Sequence, residues 1–312
     1  MQGLLIVNRH ATSMTETVID LAVRSLSGLV DLDVERTKYR GHARELAAAA
    51  RGELIIVLGG DGSINEVVNG VMNRDDASPG GDGADGGPPQ IAVIPAGGAN
   101  VLARALGLPV DAAAAIHRVQ EVIAAGRHRT IGLGLAGDRY FTFSAGLGMD
   151  AETVREVERL RAEGRRESTP LFLRTMMRQY YRTDRHRPAL TLERNGQPPI
   201  SDLFLTIITN RSPWTYFRDR PLLPVPHPDF NSGLDLLALR QIRLTTILGT
   251  VGQMLYVRSR PPRGRALMSV LGSESLTVRS VRPIALQVDG EYLGETEAIK
   301  FQFVPDALRV VA

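Results

Sequence analysis

Residues 54–70, LIIVLGGDGSINEVVNG, constrain this chain more than any other stretch. A run of Leu, Ile and Val over 54–58 stops at two glycines, an aspartate, a third glycine and a serine. Ile64, Val67, Val68 and Val71 then recur at helical spacing. The pattern is a strand, a tight loop and a helix start. Gly59, Gly60 and Gly62 let backbone N–H groups approach a ligand closely, and successive N–H groups at a helix N-terminus make an anion site. Asp61 inside that turn repels a bare phosphate, so a bound Mg²⁺ beside it gives the carboxylate a purpose. The plain alternative is a strand–helix turn that needs glycine only for its shape.

A second turn of this kind, PAGGAN at 95–100, follows the apolar strand 91–94 and opens a helix. Two such turns at neighbouring strand ends can hold a polyphosphate between them. The segments around them alternate. Strands are expected at 3–8, 30–35, 54–58 and 91–94. Helices are expected at 16–26 (capped by Thr12 or Ser13), 42–50, 63–73, 101–106 and 111–125. Strands alternating with helices indicate a doubly wound parallel α/β sheet, with ligands beyond the C-terminal strand ends. Asn8, Thr37, residues 59–63 and residues 97–100 all fall there. Residues 75–89 are polar and glycine-rich, a surface loop. From Arg129 the pattern changes to strands at 139–145, 189–193, 203–209, 234–240, 275–279 and 285–289. Helices interrupt them at 151–163 and 170–182, the second opened by Ser168, Thr169 and Pro170. This is a mostly antiparallel β domain, and the tail 307–311 is strand-like without a place fixed by pattern.

Several classes are excluded. The chain has no cysteine, hence no disulfide or thiolate site. Its start, MQGLLIVNRH, reads as a first strand instead of a signal peptide. The longest uncharged, mostly apolar run, 244–257, is shorter than a bilayer span, so no membrane crossing is expected. Lys38 and Lys300 are the only lysines, and arginine supplies the rest of the basic side. Codon bias explains that, as does a surface attracted to anionic lipid or nucleotide, and composition does not separate the two. GLGLAG at 132–137 matches a dinucleotide fingerprint formally but precedes a strand, so a hairpin turn is expected. G-x-x-x-x-G-K-S/T, zinc-ligand spacing and G-x-S-x-G are all absent. The Asp-Gly-Glu at 289–291 follows the strand IALQV, and by composition Asp-Gly is a hairpin turn.

Together these residues resemble the diacylglycerol kinase catalytic superfamily, which includes bacterial lipid kinases and sphingosine and ceramide kinases. GGDGSINEVVNG is similar to its GGDGT-x-N-E-x-x-N-G signature. Asn8 resembles the Asn of an Asn-Pro motif, with Arg9 in place of the proline, and Thr37 with His42 and Ala43 resembles the adenine-side segment. IPAGGANVLARALGLP, GLGMDA at 146–151, SGLDLL at 232–237 and DGE at 289–291 continue the match in family order. NAD kinases share the glycine turn, but the N-E-x-x-N-G extension and DGE favour the lipid kinases.

The resemblance implies a nucleotide-binding α/β domain over 1–128, to which a strand in 303–312 returns, and a β-rich, sandwich-like lipid domain over 129–302. It implies ATP and Mg²⁺ as cofactors. Asn8, Thr37, Gly59, Gly60, Asp61, Gly62, Ser63, Asn65, Glu66, Gly97, Gly98 and Asn100 would serve the nucleotide. Asp289 and Glu291 would supply the base that takes the lipid hydroxyl proton, with Asp61 bearing on Mg²⁺. Metal ligation would involve Asp61, Asp229, Ser232 and Leu234. The implied substrate is a diacylglycerol-like membrane lipid. The implied location is cytoplasmic, peripheral at an anionic inner membrane face, without nucleic acid and with a homodimer left open. Three departures stand out: Val101 and Gly132 replace acidic residues, and Ser232 replaces an Asp of the structural metal site. They keep a non-enzymatic nucleotide- or lipid-binding pseudokinase in play, beside sphingosine, ceramide or NAD kinase activity. The helix at 170–182, with Leu171, Met176, Met177, Tyr180 and Tyr181 among arginines, either docks on a bilayer or packs on the β domain.

Overall fold

The computed structural model describes residues 1–9, 11, 13–74, 88–165, 169–210, 213–217, 219–226, 230–257 and 260–312. Thr12, Ser168, Asp229 and most of the polar loop, 75–87, lie outside the described residues. The chain divides into two compact units, Met1–Gly132 with Pro305–Ala312, and Leu133–Val304. The α/β class expected from the sequence is the one observed.

In the first unit, β1 (Gln2–Val7), β2 (Asp31–Arg36), β3 (Leu54–Gly59) and β4 (Gln90–Pro95) pair in parallel, in the order β4-β3-β1-β2. The helices are α1 (Glu16–Leu26), α2 (His42–Ala49), α3 (Asp61–Met72), α4 (Val101–Ala105) and α5 (Ala112–Ala124). Every residue of β3 is buried, because a central strand covered on both faces has no solvent side. β2 is the edge, and its DLDVER sequence keeps charge in solvent, which discourages pairing with another chain. α1 packs on α5, and α2 on α3. The chain moves one way along the sheet from β1 to β2 and the other way from β3 to β4. The reversal opens a crevice beyond the C-terminal ends of β1 and β3. α3 starts at Asp61, earlier than its apolar spacing indicates, with Gly60 as N-cap. α1 is capped by Thr15, whose hydroxyl accepts the Val18 N–H at 3.3 Å, while the Ser13 hydroxyl donates to the Ala96 carbonyl at 3.0 Å. At the chain's end, Val310 pairs in parallel with Ile91.

The second unit is built on antiparallel strands. In chain order its elements are β5 (Arg129–Ala136), β6 (Arg139–Phe141), β7 (Ser144–Gly148), α6 (Met149–Ala162), α7 (Thr169–Arg182), β8 (Leu190–Arg194), β9 (Gln197–Leu203) and β10 (Leu205–Thr209). There follow β11 (Thr215–Phe217), β12 (Arg220–Leu222), β13 (Leu234–Leu239), α8 (Leu244–Tyr256), β14 (Leu267–Ser273), β15 (Ser275–Val288) and β16 (Glu291–Val310). β5 begins, and β16 ends, in residues of the first unit. Neighbours run β14-β13-β10-β7-β15-β16. β10 and β13 are buried at every position, and the strand alternation divides two cores between their faces. Ile208, Leu234, Leu236 and Ala238 join Phe141 and Phe301 on one side. Leu205, Ile207, Leu237 and Leu239 join Met149 and Met254 on the other.

Two expectations change. Residues 132–136 are strand, part of β5, and only Gly137, with φ 62°, sits in the turn to β6. Gly134 is glycine because a Cβ there would overlap the Phe141 ring. The apolar run 244–257, which the pattern leaves without an element, forms α8.

Gly70 in α3 marks the closest approach of α2: a Cβ would overlap the Arg44 carbonyl and lie 2.8 Å from the Ala47 Cβ. Gly70→Ala should therefore destabilise by about 1–3 kcal/mol, despite the better helix propensity of alanine. Urea unfolding checks this, and an unchanged or higher midpoint would refute the packing argument.

Candidate functional site

Loops of the first unit gather at the C-terminal edge of its sheet. Asn8 follows β1, and Thr37 follows β2 with its N–H on the Val7 carbonyl at 2.9 Å. Asn8 Nδ2 donates to Ser63 Oγ at 2.7 Å, from the end of β1 to the first turn of α3. The two glycine turns touch through their backbones. A Cβ on Gly97 would lie 2.7 Å from the Gly60 Cα, and one on Gly60 would lie 3.1 Å from the Gly97 Cα. Asn100, buried and at φ 50°, clamps its own turn: Oδ1 accepts the Gly97 N–H and Nδ2 donates to the Gly97 carbonyl, both at 2.8 Å. The N-cap of α3 provides no side-chain hydrogen bond, and first-turn N–H groups have no intrahelical acceptor. Around them, Gly62 and Gly98 face open space. A polyphosphate fits this wall of backbone donors at the positive end of a helix dipole.

The side chains of the signature hold this arrangement together. Asp61 Oδ1 accepts the Leu102 N–H at 3.3 Å, drawing the start of α4 towards the start of α3. Glu66, which the resemblance assigns to the nucleotide, caps α2 by accepting the Gly41 N–H at 2.8 Å and the Ala43 N–H at 3.2 Å. Asn65 and Asn69 are buried, with Asn69 Nδ2 donating to the Asn65 carbonyl at 2.8 Å. For a metal, no group of three His, Asp or Glu side chains able to hold one exists among the described residues. Val101 is buried, the Leu234 side chain is in the core, and the buried carboxylate beside Ser232 and Leu234, Asp235, accepts the Gly272 N–H at 2.9 Å. This donor set fits a cation held largely by ligand oxygens and water beside Asp61, and does not fit a protein cage.

In the second unit, Asp289 and Gly290 have φ 47° and 78°, and Val288 pairs with Glu291. They form a two-residue hairpin of the I′ kind, as the composition suggests. Asp289 is buried and accepts four hydrogen bonds: Thr142 N–H at 2.7 Å, Thr142 Oγ1 at 2.9 Å, and the Phe143 and Ser144 N–H groups at 3.0 Å. Glu291 pairs with Arg139 at 2.8 Å, and both side chains keep partial exposure, 14 % and 16 %. The buried Gln287 accepts the Gly290 N–H at 2.9 Å and donates to Asp150 Oδ2 at 2.9 Å. Burial pushes the Asp150 carboxyl up to about 6, against the downward pull of the Gln287 hydrogen bond.

Asp150 stands on the wall of an apolar cavity of about 530 Å³, counted with its open mouth. Residues of α6, α7, α8, β10 and β13 line it, and Asp150, Thr153 and Thr250 are its polar points. α7 turns Phe172 and Met176 into the cavity and buries Tyr180, whose hydroxyl accepts the Leu244 N–H at 3.1 Å. Its Leu173 and Tyr181 face solvent. Trp214 lines the cavity too. Asp150, Gln287 and Arg139 were absent from the sequence-derived site. Their signals were faint: an Asp within GLGMDA, one polar residue in IALQV, and an arginine among many.

Residues 2–136 match the diacylglycerol kinase catalytic domain. A diacylglycerol kinase of Bacillus subtilis is 27% identical over 81% of this chain and 76% of its own length. The crystal structure of a diacylglycerol kinase from Bacillus anthracis superposes with a TM-score of 0.69 at 19% identity, covering 99% of this chain and 96% of that one. An NAD kinase from Archaeoglobus fulgidus, solved in complex with ATP, gives a TM-score of 0.52 at 12% identity over the whole of this chain and 94% of its own.

Two substitutions test the second unit. Asp289→Asn places an amide donor against N–H donors, so a loss of about 1–3 kcal/mol is expected; a melting temperature equal to wild type would remove the pinning role. For Asp150 the folded carboxyl holds its proton more tightly than the unfolded one, so the stability this confers is complete below about pH 4 and lost as pH rises through about 6. Asp150→Asn mimics the protonated form. It should match wild type near pH 4 and exceed it near pH 8 by about 1–3 kcal/mol. Denaturant titrations at both pH values would expose the reverse order.

Proposed function

This chain belongs to the diacylglycerol kinase catalytic superfamily, and from that premise we propose that it transfers the γ-phosphate of ATP to the free hydroxyl of diacylglycerol or a closely related lipid. One observation carries the reading beyond its family: Gln287 joins Asp150, on the wall of an apolar cavity, to the Asp-Gly-Glu turn. A cavity with this apolar lining suits hydrocarbon chains, and NAD would find few polar partners in it. Acyl chains held there would bring a glycerol hydroxyl towards the turn.

Phosphoryl transfer needs positioning and charge neutralisation more than covalent chemistry. The N–H groups around Gly60, Gly62 and Gly98 hold the phosphates, and Asn8 and Thr37 flank them at the sheet edge. Mg²⁺ would be held with ATP beside Asp61 and would supply neutralising charge there. Of the two carboxylates in the turn, Glu291 is the better general base. Its side chain is partly exposed and oriented by Arg139, whereas the lone pairs of Asp289 are engaged by the backbone of 142–144. Asp289 positions the turn. The substrate resides in a bilayer, so the enzyme works peripherally at a membrane surface.

The test is labelled ATP with Mg²⁺ and dispersed diacylglycerol, ceramide, sphingosine or NAD. Labelled phosphatidic acid is the expected product, and Glu291→Gln should lower kcat by roughly 10²–10⁴-fold while ATP still binds. ATP binding without phosphorylation of any acceptor, at any Mg²⁺ concentration, would replace this reading with the pseudokinase one, which buried Val101 and uncharged Ser232 favour.

A further inference from the structure

α8 has two unlike faces and no charged residue on either. Its inner face, with Ile247, Val251 and Met254, lines the apolar cavity. Its outer face comprises Thr245, Leu248, Gly249, Gly252 and Tyr256, which fall within about a 100° arc at helical spacing. Leu248 is 61% and Tyr256 72% exposed. An ordinary surface helix turns charged residues outward; this one turns out leucine, tyrosine, threonine and glycine.

The surroundings are as one-sided as the helix. Residues 236–273 contain six arginines and no aspartate, glutamate or lysine. Arg240, Arg243, Arg260, Arg263 and Arg265 are exposed, flanking α8 in sequence at both ends. The Arg220 guanidinium lies 5.5 Å from the centre of the Tyr256 ring. α8 has 13 residues, and among the described residues no helix is long and apolar enough to cross a membrane. A short apolar face flanked by arginines, with a tyrosine at its edge, suits the water–lipid interface of an anionic bilayer. A second copy of this chain is the weaker partner, because a two-fold contact on this face would set arginines against arginines.

We propose that the outer face of α8, with the arginine-rich segment 260–265 beyond it, is the surface by which this protein docks on anionic membranes. The helix would lie in the interface with its inner face on the cavity, so that a lipid passes from bilayer to cavity along α8. The passage rests on the lipid-kinase reading; the docking does not.

Docking is tested without ATP, on vesicles of phosphatidylcholine alone and of phosphatidylcholine with phosphatidylglycerol, by co-sedimentation. Wild type should bind the mixed vesicles and bind the neutral ones weakly. Arg260→Glu/Arg263→Glu/Arg265→Glu should weaken binding to the mixed vesicles by about a hundredfold or more. Leu248→Asp should weaken it roughly tenfold. Both variants should keep wild-type melting temperatures, since the side chains changed are exposed. Vesicle binding by the variants equal to wild type would overturn the proposal. So would a wild-type dimer that Leu248→Asp converts to monomer in light scattering, since a second copy would then cover the face. If vesicle binding behaves as expected but no lipid is phosphorylated, the docking surface stands and the kinase reading fails. Turnover of a water-soluble short-chain diacylglycerol by the variants should equal wild type, separating docking from chemistry.

Discussion

The backbone contact between Gly60 and Gly97 is the constraint on which the first unit's site depends. Two helix N-termini can meet at one edge of the sheet only if neither turn carries a Cβ, because a Cβ on Gly97 would sit 2.7 Å from the opposing Cα. The contact also explains the polar clamps around it. α4 has only five residues, far too few to be stable as an isolated helix. Asn100 holds its leading turn through both amide atoms, and Asp61 accepts the N–H of its second residue. The aspartate that looks misplaced in an anion-binding turn thus has an architectural use as well as any electrostatic one.

The second unit solves a different problem, that of polar groups in an apolar interior. Asp289 is surrounded by donors and is solvated by the protein much as it would be by water. Asp150 takes a hydrogen bond from Gln287 but faces an apolar wall, so burial raises its pKa. A buried glutamine is costly unless both ends of its amide are used, and Gln287 uses both. It therefore couples the state of the cavity wall to the Asp-Gly-Glu turn with little freedom to do otherwise.

Much of this architecture was legible in the sequence because periodicity reports burial. The apolar runs of β3 and β4 and the turns after them read directly, and so did the antiparallel character of the second half. The misses have physical causes. GLGLAG reads as a turn because glycine is flexible, yet Gly134 is there to make room for the Phe141 ring, a contact no local pattern reveals. α8 was missed as an element because its outward face lacks the polar stripe by which helices are recognised. The site residues divide in the same way. The glycines, Asn8 and Thr37 lie on one edge because strand ends are readable. The hydrogen bonds of Glu66 to α2 and of Gln287 to Asp150 depend on tertiary pairing, which no local pattern in the sequence reports.

Departures from the family pattern fall where backbone atoms dominate. Ser63 stands where threonine is usual, and the contact it makes with Asn8 needs only a hydroxyl. Gly98 stands where threonine or serine is common, in a turn whose shape is already fixed by Asn100 and Gly97 and with open space around it. Val101 replaces an acidic residue at the first position of α4, but the N–H of the next residue is met by Asp61 from another element. A wall made of N–H groups keeps its field whatever side chains surround it, provided that the glycines and clamps that shape it are kept. The substitutions that matter most for such a site are then those that would add a Cβ at Gly60 or Gly97.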